Sequence, residues 1–240
     1  MKRILVLLFL SFSVITYAQT GGGLLKKASG ILNKAKGGNL SNDEIIAGLK
    51  EALSVGATNS STKLSAVDGF FANAAIKVLM PEEAKKVETT LRKVGMGDLV
   101  DKAILSMNRA AEEASKSAAP IFLDAVKNMS FQDAMGILRG SDTAATGYLR
   151  SKTLPPLTEA FRPVIETALA KTDATKYWKN LFDAYNKLPT TFNKVNPDLS
   201  GYVTEKALGG LFYQVAEEEQ KIRKDPAARV SETLKKVFGS

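Results

Sequence analysis

The stretch "DLVDKAILSMNRAAEEASKSA", which runs from Asp98 to Ala118, decides the fold class. Its small and apolar residues recur every three or four positions, the spacing of one face of an α-helix. Alanine on such a face lets a neighbouring helix approach closely, which suits the centre of a helix bundle. We therefore predict a long central helix, and its inward face carries Leu99, Ala103, Met107, Ala110 and Ala114.

Start and stop signals on both sides of this stretch predict further helices. Ser41 and Glu44 have the spacing of a capping box, so a helix is expected to begin there. Pro81 suits the first turn of a second helix, and Gly95 suits its end. Pro120 is expected to break or kink the chain. Further helices are expected to begin at Ser130 with Asp133, at Asp142 (a helix to about Lys152), at Pro155-Pro156 and at Asp225-Pro226.

Two further apolar patterns also have the helical period. An aromatic-rich helix is predicted from Tyr177 to Tyr185, and a long helix is predicted along Leu208, Leu211, Phe212, Val215 and Ile222. Alternating runs typical of β-strands are missing, and the single ambiguous piece is "AIKVLM", Ala75 to Met80. We predict an all-α fold, a single bundle of about eight to ten helices.

The first 40 residues have a different composition from the rest. Residues 1–18 resemble a secretory signal peptide, with Lys2 and Arg3 before an apolar run. We expect an exported protein, either periplasmic or secreted; an uncleaved anchor helix is the alternative. Residues 19–40 form a basic, glycine-rich linker, and residues 41–240 form the helical domain.

Positive charge is concentrated in this leader and linker. Six of the 33 basic residues lie before residue 39, where no acidic residue occurs, so the remainder is nearly neutral. That distribution argues against a nucleic-acid partner. The linker has a helical apolar stripe beside its lysines, which suits contact with an anionic membrane surface; the alternatives are a packed helix or a spacer. The expected contact residues are Leu24, Leu25, Lys26, Lys27, Ile31, Leu32 and Lys34.

The amino-acid composition excludes several chemistries. Histidine and cysteine are both absent, which removes the common zinc sites, histidine-dependent triads and thiol catalysis. No calcium-loop or phosphate-loop motif occurs, and we predict neither a metal nor a cofactor. A catalytic base would have to be a carboxylate or a desolvated lysine. The carboxylate case would be a peptidoglycan or glycan hydrolase.

One acidic run looks like a site at first. Glu217, Glu218 and Glu219 follow one another, but Lys221 and Arg223 lie four residues after Glu217 and Glu219. This spacing is typical of ion pairs on an exposed helix face. The run is therefore expected to lie in solvent.

A more promising set of polar residues has a physical reason to bind an anion. Two hydroxyls and a guanidinium follow the predicted helix start at Asp142, where free N–H groups attract negative charge. Other long polar residues interrupt apolar helix faces. The predicted site consists of Asn108, Arg109, Thr143, Thr146, Arg150, Tyr202 and Lys206. The alternative is structural: Arg109 and Arg150 would pair with Asp124, Asp133 or Glu112.

Long segments of the chain resemble one known family. "SMNRAAEEASKSAAPIFLDAVKNMSFQDAMGILRGSDTAATGYLRSKT" (Ser106 to Thr153) is similar to a bacterial envelope family catalogued as domain of unknown function 4197. Segments that begin at Gly48, Asp68 and Tyr202 extend the likeness, although residues 71–74 replace its usual asparagine-proline turn. The resemblance implies an exported helical protein and supplies no catalytic residues.

Three functional hypotheses follow. The first is a non-catalytic envelope protein that binds a lipid, a glycan or a protein partner. The second is the carboxylate-based hydrolase, which needs two acids that face a cleft. The third is a scaffolding protein without a small ligand.

Overall fold

The computed structural model describes residues 41–172, 175, 178, 179, 198–225 and 235. Within these ranges the chain is helical and contains no β-strand, which confirms the all-α prediction. The helices are α1 (Asn42–Ser65), a short 3-10 helix (Glu82–Ala84), α2 (Lys85–Lys93), α3 (Gly97–Ser115), α4 (Ala118–Lys127), α5 (Phe131–Arg139), α6 (Ala144–Ala170) and α7 (Leu199–Lys224).

Several predictions fall outside these residues. They concern the signal peptide (1–18), the basic linker (19–40), most of the aromatic-rich helix at 177–185 and the helix after Asp225. The described ranges do not confirm the predicted number of eight to ten helices. In the part of the chain that is described, none of the helices has both the length and the apolar character needed to cross a bilayer.

The predicted helix starts and ends are confirmed where the residues that form the cap are close together in the sequence. The Glu44 N–H donates to Ser41 Oγ at 3.2 Å, and the Ser41 N–H donates back to Glu44 Oε2 at 2.9 Å. Ser130 and Asp133 form the same reciprocal pair at the start of α5, and the bonds from Ser130 lower the pKa of Asp133. Gly95 ends α2 with a φ of 83°, a backbone conformation that favours glycine.

The proline prediction is wrong for α6. We expected one helix to end near Lys152 and another to begin at Pro155, but a single helix runs from Ala144 to Ala170 with three prolines inside it. The prolines are exposed, so water can satisfy the carbonyl groups that lose a donor. The opposite face is buried, and its burial keeps the helix continuous through Leu149, Thr153, Leu157, Phe161, Ile165 and Leu169.

The alanine-rich helix α3 does lie at the centre of the described bundle. It packs against α1, α6 and α7, and Met107, Ala110 and Ala114 are buried as predicted. The exceptions are Leu99, which is 53% exposed near the start of the helix, and Ala103, which is half-buried. The aromatic pair Phe122 and Phe212 meets edge to face nearby, with ring centroids 5.9 Å apart.

A connection of irregular backbone, residues 66–81, joins α1 to the short 3-10 helix. The ambiguous segment Ala75–Met80 belongs to it and forms neither strand nor helix. The connection passes α7 so closely that a Cβ added to Gly210 would lie 2.5 Å from Cε1 of the buried Phe70 ring. Glycine at position 210 thus permits the close approach.

Candidate functional site

The seven predicted site residues lie in three different places. Asn108 and Arg109 lie beneath the connection, Thr143 and Thr146 lie at the start of α6, and Arg150, Tyr202 and Lys206 line one groove. The structure therefore brings three of the seven together.

Asn108 fastens the connection to α3. Its side chain accepts a hydrogen bond from the Val78 N–H and donates one to the Val78 carbonyl, both at 2.8 Å. It also donates to the Ile104 carbonyl of its own helix. Asn108 is fully buried. The bonds satisfy both backbone groups of Val78, which has no neighbouring strand to pair with. They also use the oxygen and the NH₂ group of the Asn108 side chain.

Next to it, a buried glutamate holds the start of the connection. Glu112 Oε1 accepts from the N–H groups of Phe70 and Phe71 at 3.1 and 3.2 Å, while Glu112 Oε2 accepts from Arg109 at 2.6 Å. Arg109 also donates to Asp68, whose φ is 67°. We call this arrangement the Glu112 clamp. The structural pairing of Arg109 with Glu112, one of the alternatives raised by the sequence, is present.

A second clamp holds the start of α6. Glu219 Oε1 accepts from the Ala145 N–H at 3.0 Å, and Glu219 Oε2 accepts from the Thr146 N–H and Thr146 Oγ1, both at 2.8 Å. Arg223, four residues later on α7, donates to the same carboxylate at 3.0 Å. We call this arrangement the Glu219 clamp. The anion predicted for this helix start is thus met by the chain's own carboxylate.

The Glu219 clamp corrects two sequence-based expectations. Glu218 and Glu219 were expected to be solvated but are only 9% and 8% exposed, whereas Glu217 is exposed. The Glu219 carboxylate is buried because unpaired N–H groups at the start of α6 need an acceptor there. Asp142 does not cap the helix either; the N-cap residue is Thr143, and Asp142 pairs with Lys224 at 3.1 Å.

The remaining three predicted residues line a groove of about 1020 Å³. One wall is the connection and the residues just after it, and the other wall is α7. Arg150 of α6 and Trp178 complete the lining. Trp178 is the single tryptophan of the chain, so the groove contains its own fluorescent reporter.

Tyr202 joins the two walls at one end of the groove. Its hydroxyl donates to the Leu79 carbonyl at 2.9 Å, and Lys206 Nζ lies 5.5 Å from the centre of its ring. Burial raises the pKa of Tyr202 to about 12, and the carboxylates of Glu83, Glu205 and Glu82 add to the effect. The tyrosine is therefore a neutral hydrogen-bond donor at physiological pH.

Arg150 stands out among the arginines of the described ranges. Its guanidinium lies 5.3 Å from the centre of the Phe212 ring, and no carboxylate of the described residues forms an ion pair with it. Arg139 also lacks such a pair but does not line the groove. The other arginines in these ranges bind carboxylates; they are Arg92, Arg109, Arg162 and Arg223.

Sequence reasoning missed half of the groove. Gly209 lines it, and a Cβ added there would meet no atom within 4 Å. Tyr213 lines it too and is 44% exposed. Tyr202, Lys206, Gly209 and Tyr213 share one helical face, so this stripe was visible in the sequence. The opposite wall could not be predicted from the sequence, because Lys77 and Leu79 belong to irregular backbone without a repeating pattern.

Other candidate sites in the described ranges have fewer features of a binding site than the groove. No group of three or more acidic residues could hold a metal ion there. A crevice of about 500 Å³ beside Tyr148 and Lys152 lies on the surface between α4 and α6. A small, mostly apolar cavity of about 30 Å³ lies between α1, α5, α6 and α7, next to the Glu219 clamp.

Comparison with known proteins identifies the family of the chain. Residues 39–239 match the model of the family described as "Protein of unknown function (DUF4197)". No curated protein and no solved structure matches the chain. The match covers most of the chain, including both clamps and the groove. The chain therefore belongs to the DUF4197 family.

Proposed function

We propose that the protein is a non-catalytic binding protein whose groove takes an anionic ligand with an apolar part. The observation that carries this proposal is Arg150, a guanidinium that lines the groove without an ion pair to any described carboxylate. An arginine binds carboxylate or phosphate oxygens through two parallel N–H donors. A cation–π contact with the Phe212 ring, whose centre lies 5.3 Å from the guanidinium, favours this position of Arg150 before a ligand arrives.

The rest of the groove suits such a ligand. Tyr213 and Leu79 are large side chains left 44% and 51% exposed, so they offer apolar contact area. At Gly209 a ligand can approach the backbone of α7 without displacing a side chain. A concave site with apolar walls and a few polar groups is the usual form of a small-ligand site.

The alternative, a carboxylate-based hydrolase, finds less support in the groove. Its acids are Glu82, Glu83 and Glu205, and all three are exposed. A general acid of this class needs a carboxyl group that burial keeps protonated. The buried Glu112 and Glu219 accept backbone N–H groups and pair with arginines, so their oxygens are already used.

The proposed setting is the bacterial envelope. It rests on the signal-peptide pattern of residues 1–18 and on the basic stripe of the linker, which would contact an anionic membrane surface. Cell fractionation with and without residues 1–18 tests the export, and retention of both forms in the cytoplasm would contradict it. Deleting residues 21–38 should lower binding to anionic vesicles, and unchanged binding would make this segment a spacer.

The groove itself is tested with octanoate and octylamine as probes, read out by the fluorescence of Trp178. We expect octanoate to change the emission in a saturable way and octylamine to bind at least about tenfold more weakly, a difference of about 1.4 kcal/mol. Arg150→Gln should abolish this preference for the carboxylate. Arg139→Gln is the matched control, because it removes an unpaired arginine outside the groove.

A second pair of variants separates binding from folding. Gly209→Leu should fill the groove without a clash and block octanoate, since its Cβ meets no atom within 4 Å. Gly136→Leu is the control, an exposed helical glycine with equally open surroundings away from the groove. Octanoate binding that is unaffected by both Arg150→Gln and Gly209→Leu would overturn the proposed function.

A further inference from the structure

The groove has two chemically different ends. The connection runs antiparallel to α7, because Ile76 lies against Gly210 whereas Leu79 lies against Tyr202. Arg150 marks one end through its contact with Phe212. Tyr202 and Phe212 are ten residues apart, which is about 15 Å along a helix.

The end at Tyr202 is acidic. Glu205 follows Tyr202 by three residues on α7, and Glu82 and Glu83 follow Leu79 on the opposite wall. Glu82 forms an exposed ion pair with Lys85 at 2.7 Å. Glu83 and Glu205 form no ion pair with any residue in the described ranges. Two carboxylates at this end thus remain available to a cation.

Two lysines also line the groove, Lys206 at the Tyr202 end and Lys77 on the connection. Lys206 Nζ is placed over the Tyr202 ring, and Lys77 Nζ lies 3.7 Å from the centre of the Phe71 ring. Both contacts are with aromatic faces, so neither lysine neutralises Glu83 or Glu205 by an ion pair. Besides these two lysines, the groove carries the unpaired Arg150 at one end and the unpaired Glu83 and Glu205 at the other.

We infer that the ligand of this groove is a short extended peptide, with its free carboxylate at Arg150 and its free amine at Glu83 and Glu205. This inference rests on the proposed function and names the ligand class. Five extended residues span about 16 Å, close to the rise of about 15 Å that α7 makes between Tyr202 and Phe212. A zwitterionic lipid headgroup carries its charges only a few bonds apart and cannot reach both ends.

The middle of the groove also suits a peptide. Tyr213 and Leu79 lie on opposite walls, and both are exposed. Successive side chains of an extended peptide point in opposite directions, so alternate residues would contact the two walls. Between these contacts, Gly209 leaves room for the peptide backbone against α7.

Penta-alanine is the probe that tests the inference, with the full chain and Trp178 fluorescence as the readout. We expect N-acetylation of the peptide and C-terminal amidation each to raise the Kd about tenfold, since each removes one charge contact. Dialanine should bind more weakly than penta-alanine, by at least about tenfold, because it reaches only one end.

Crossed variants then test the direction of the peptide. Arg150→Gln should remove the effect of amidation while leaving the effect of acetylation. The double variant Glu83→Gln/Glu205→Gln should do the opposite. Arg139→Gln and Glu217→Gln are matched controls, since both residues are exposed and neither lines the groove.

The outcomes separate this inference from the proposed function. Octanoate binding that depends on Arg150, together with penta-alanine binding that ignores both end caps, would overturn the peptide and leave the anion site. If Arg150→Gln removed the effect of acetylation and the double glutamate variant removed the effect of amidation, the stated direction of the peptide would be overturned. Failure of every probe to bind would overturn both proposals.

Discussion

The two clamps place the same groups in different arrangements. Each uses a buried glutamate, an arginine on the same helix and two consecutive backbone N–H groups. In the Glu112 clamp one oxygen accepts both N–H groups and the other accepts from the arginine. In the Glu219 clamp the two oxygens divide the N–H groups between them. The difference predicts that an amide replaces the carboxylate at a lower cost in stability in the Glu112 clamp than in the Glu219 clamp.

The largest expected effect is that of Glu219→Gln. Whichever way the amide is turned, its NH₂ group faces a backbone donor, because both oxygens of Glu219 accept from one. The change also removes a negative charge from the start of α6. We expect the free energy of unfolding to fall by about 3 kcal/mol in urea titrations, the usual cost of breaking a buried charge pair. A loss below that of Glu112→Gln would contradict the comparison.

Gly210→Ala should have the second-largest effect on stability, because the added methyl group would clash with Phe70, the residue that the Glu112 clamp holds in place. The new Cβ would lie 2.5 Å from Phe70, whose N–H is bound to Glu112. We expect a loss of about 2 kcal/mol from overpacking. Gly209→Ala is the matched control and should stabilise α7 by up to about 1 kcal/mol.

The coupling between these sites sharpens the test. In a Glu112→Gln background Phe70 is less firmly held, so Gly210→Ala should cost less than it does in the parent protein. Strictly additive losses in thermal or urea denaturation would show that the clamp does not fix the Phe70 ring.

A smaller loss is expected for Glu112→Gln itself. The glutamine carbonyl can take the place of Oε1 and accept from both Phe70 and Phe71. Its NH₂ group then faces Arg109, but that guanidinium is 38% exposed and keeps its bond to Asp68, so water and Asp68 can compensate it. We expect the free energy of unfolding to fall by about 1 kcal/mol. Glu112→Ala, which leaves both N–H groups unpaired, should cost more in the same urea titration. Equal losses for the two variants would contradict this account.

The smallest effect concerns the far end of the connection, where Tyr202 holds Leu79. At pH 8 Tyr202→Phe should cost less than about 1 kcal/mol, since one partly exposed hydrogen bond is lost. Burial raises the pKa of Tyr202 from 10.0 to about 12. The stabilising contribution is therefore complete below pH 10.0 and is lost as the pH rises toward 12. Urea titrations across this range should show the difference between the two proteins closing, and a constant difference would contradict the buried hydroxyl.

The sequence predicted those parts of the fold that depend on neighbours along the chain. Ser41 with Glu44 and Ser130 with Asp133 are capping pairs three residues apart, so their spacing was visible. The cap of α6 was not visible, because Thr146 is 73 residues from Glu219. The expectation for Pro155 failed for a related reason, since burial of the opposite face of α6 outweighs the local cost of proline.

The candidate site followed the same rule. Tyr202 and Lys206 were found through their helical spacing, and Arg150 through its place in the first turns of α6. Asn108 and Arg109 were recognised as polar residues in need of partners, but those partners are Val78, Glu112 and Asp68, on irregular backbone or across a turn of helix. The helical period of the sequence does not predict where irregular backbone packs against a helix.

The first turn of α6 has a consequence for how the groove responds to its ligand. Arg150 lies one helical turn after Thr146, whose N–H is held by Glu219. A molecule that immobilises the guanidinium therefore also restrains the opening of that turn. We expect amide hydrogen exchange at Ala145 and Thr146 to slow when the groove is filled, so that two protons outside the groove report its occupancy.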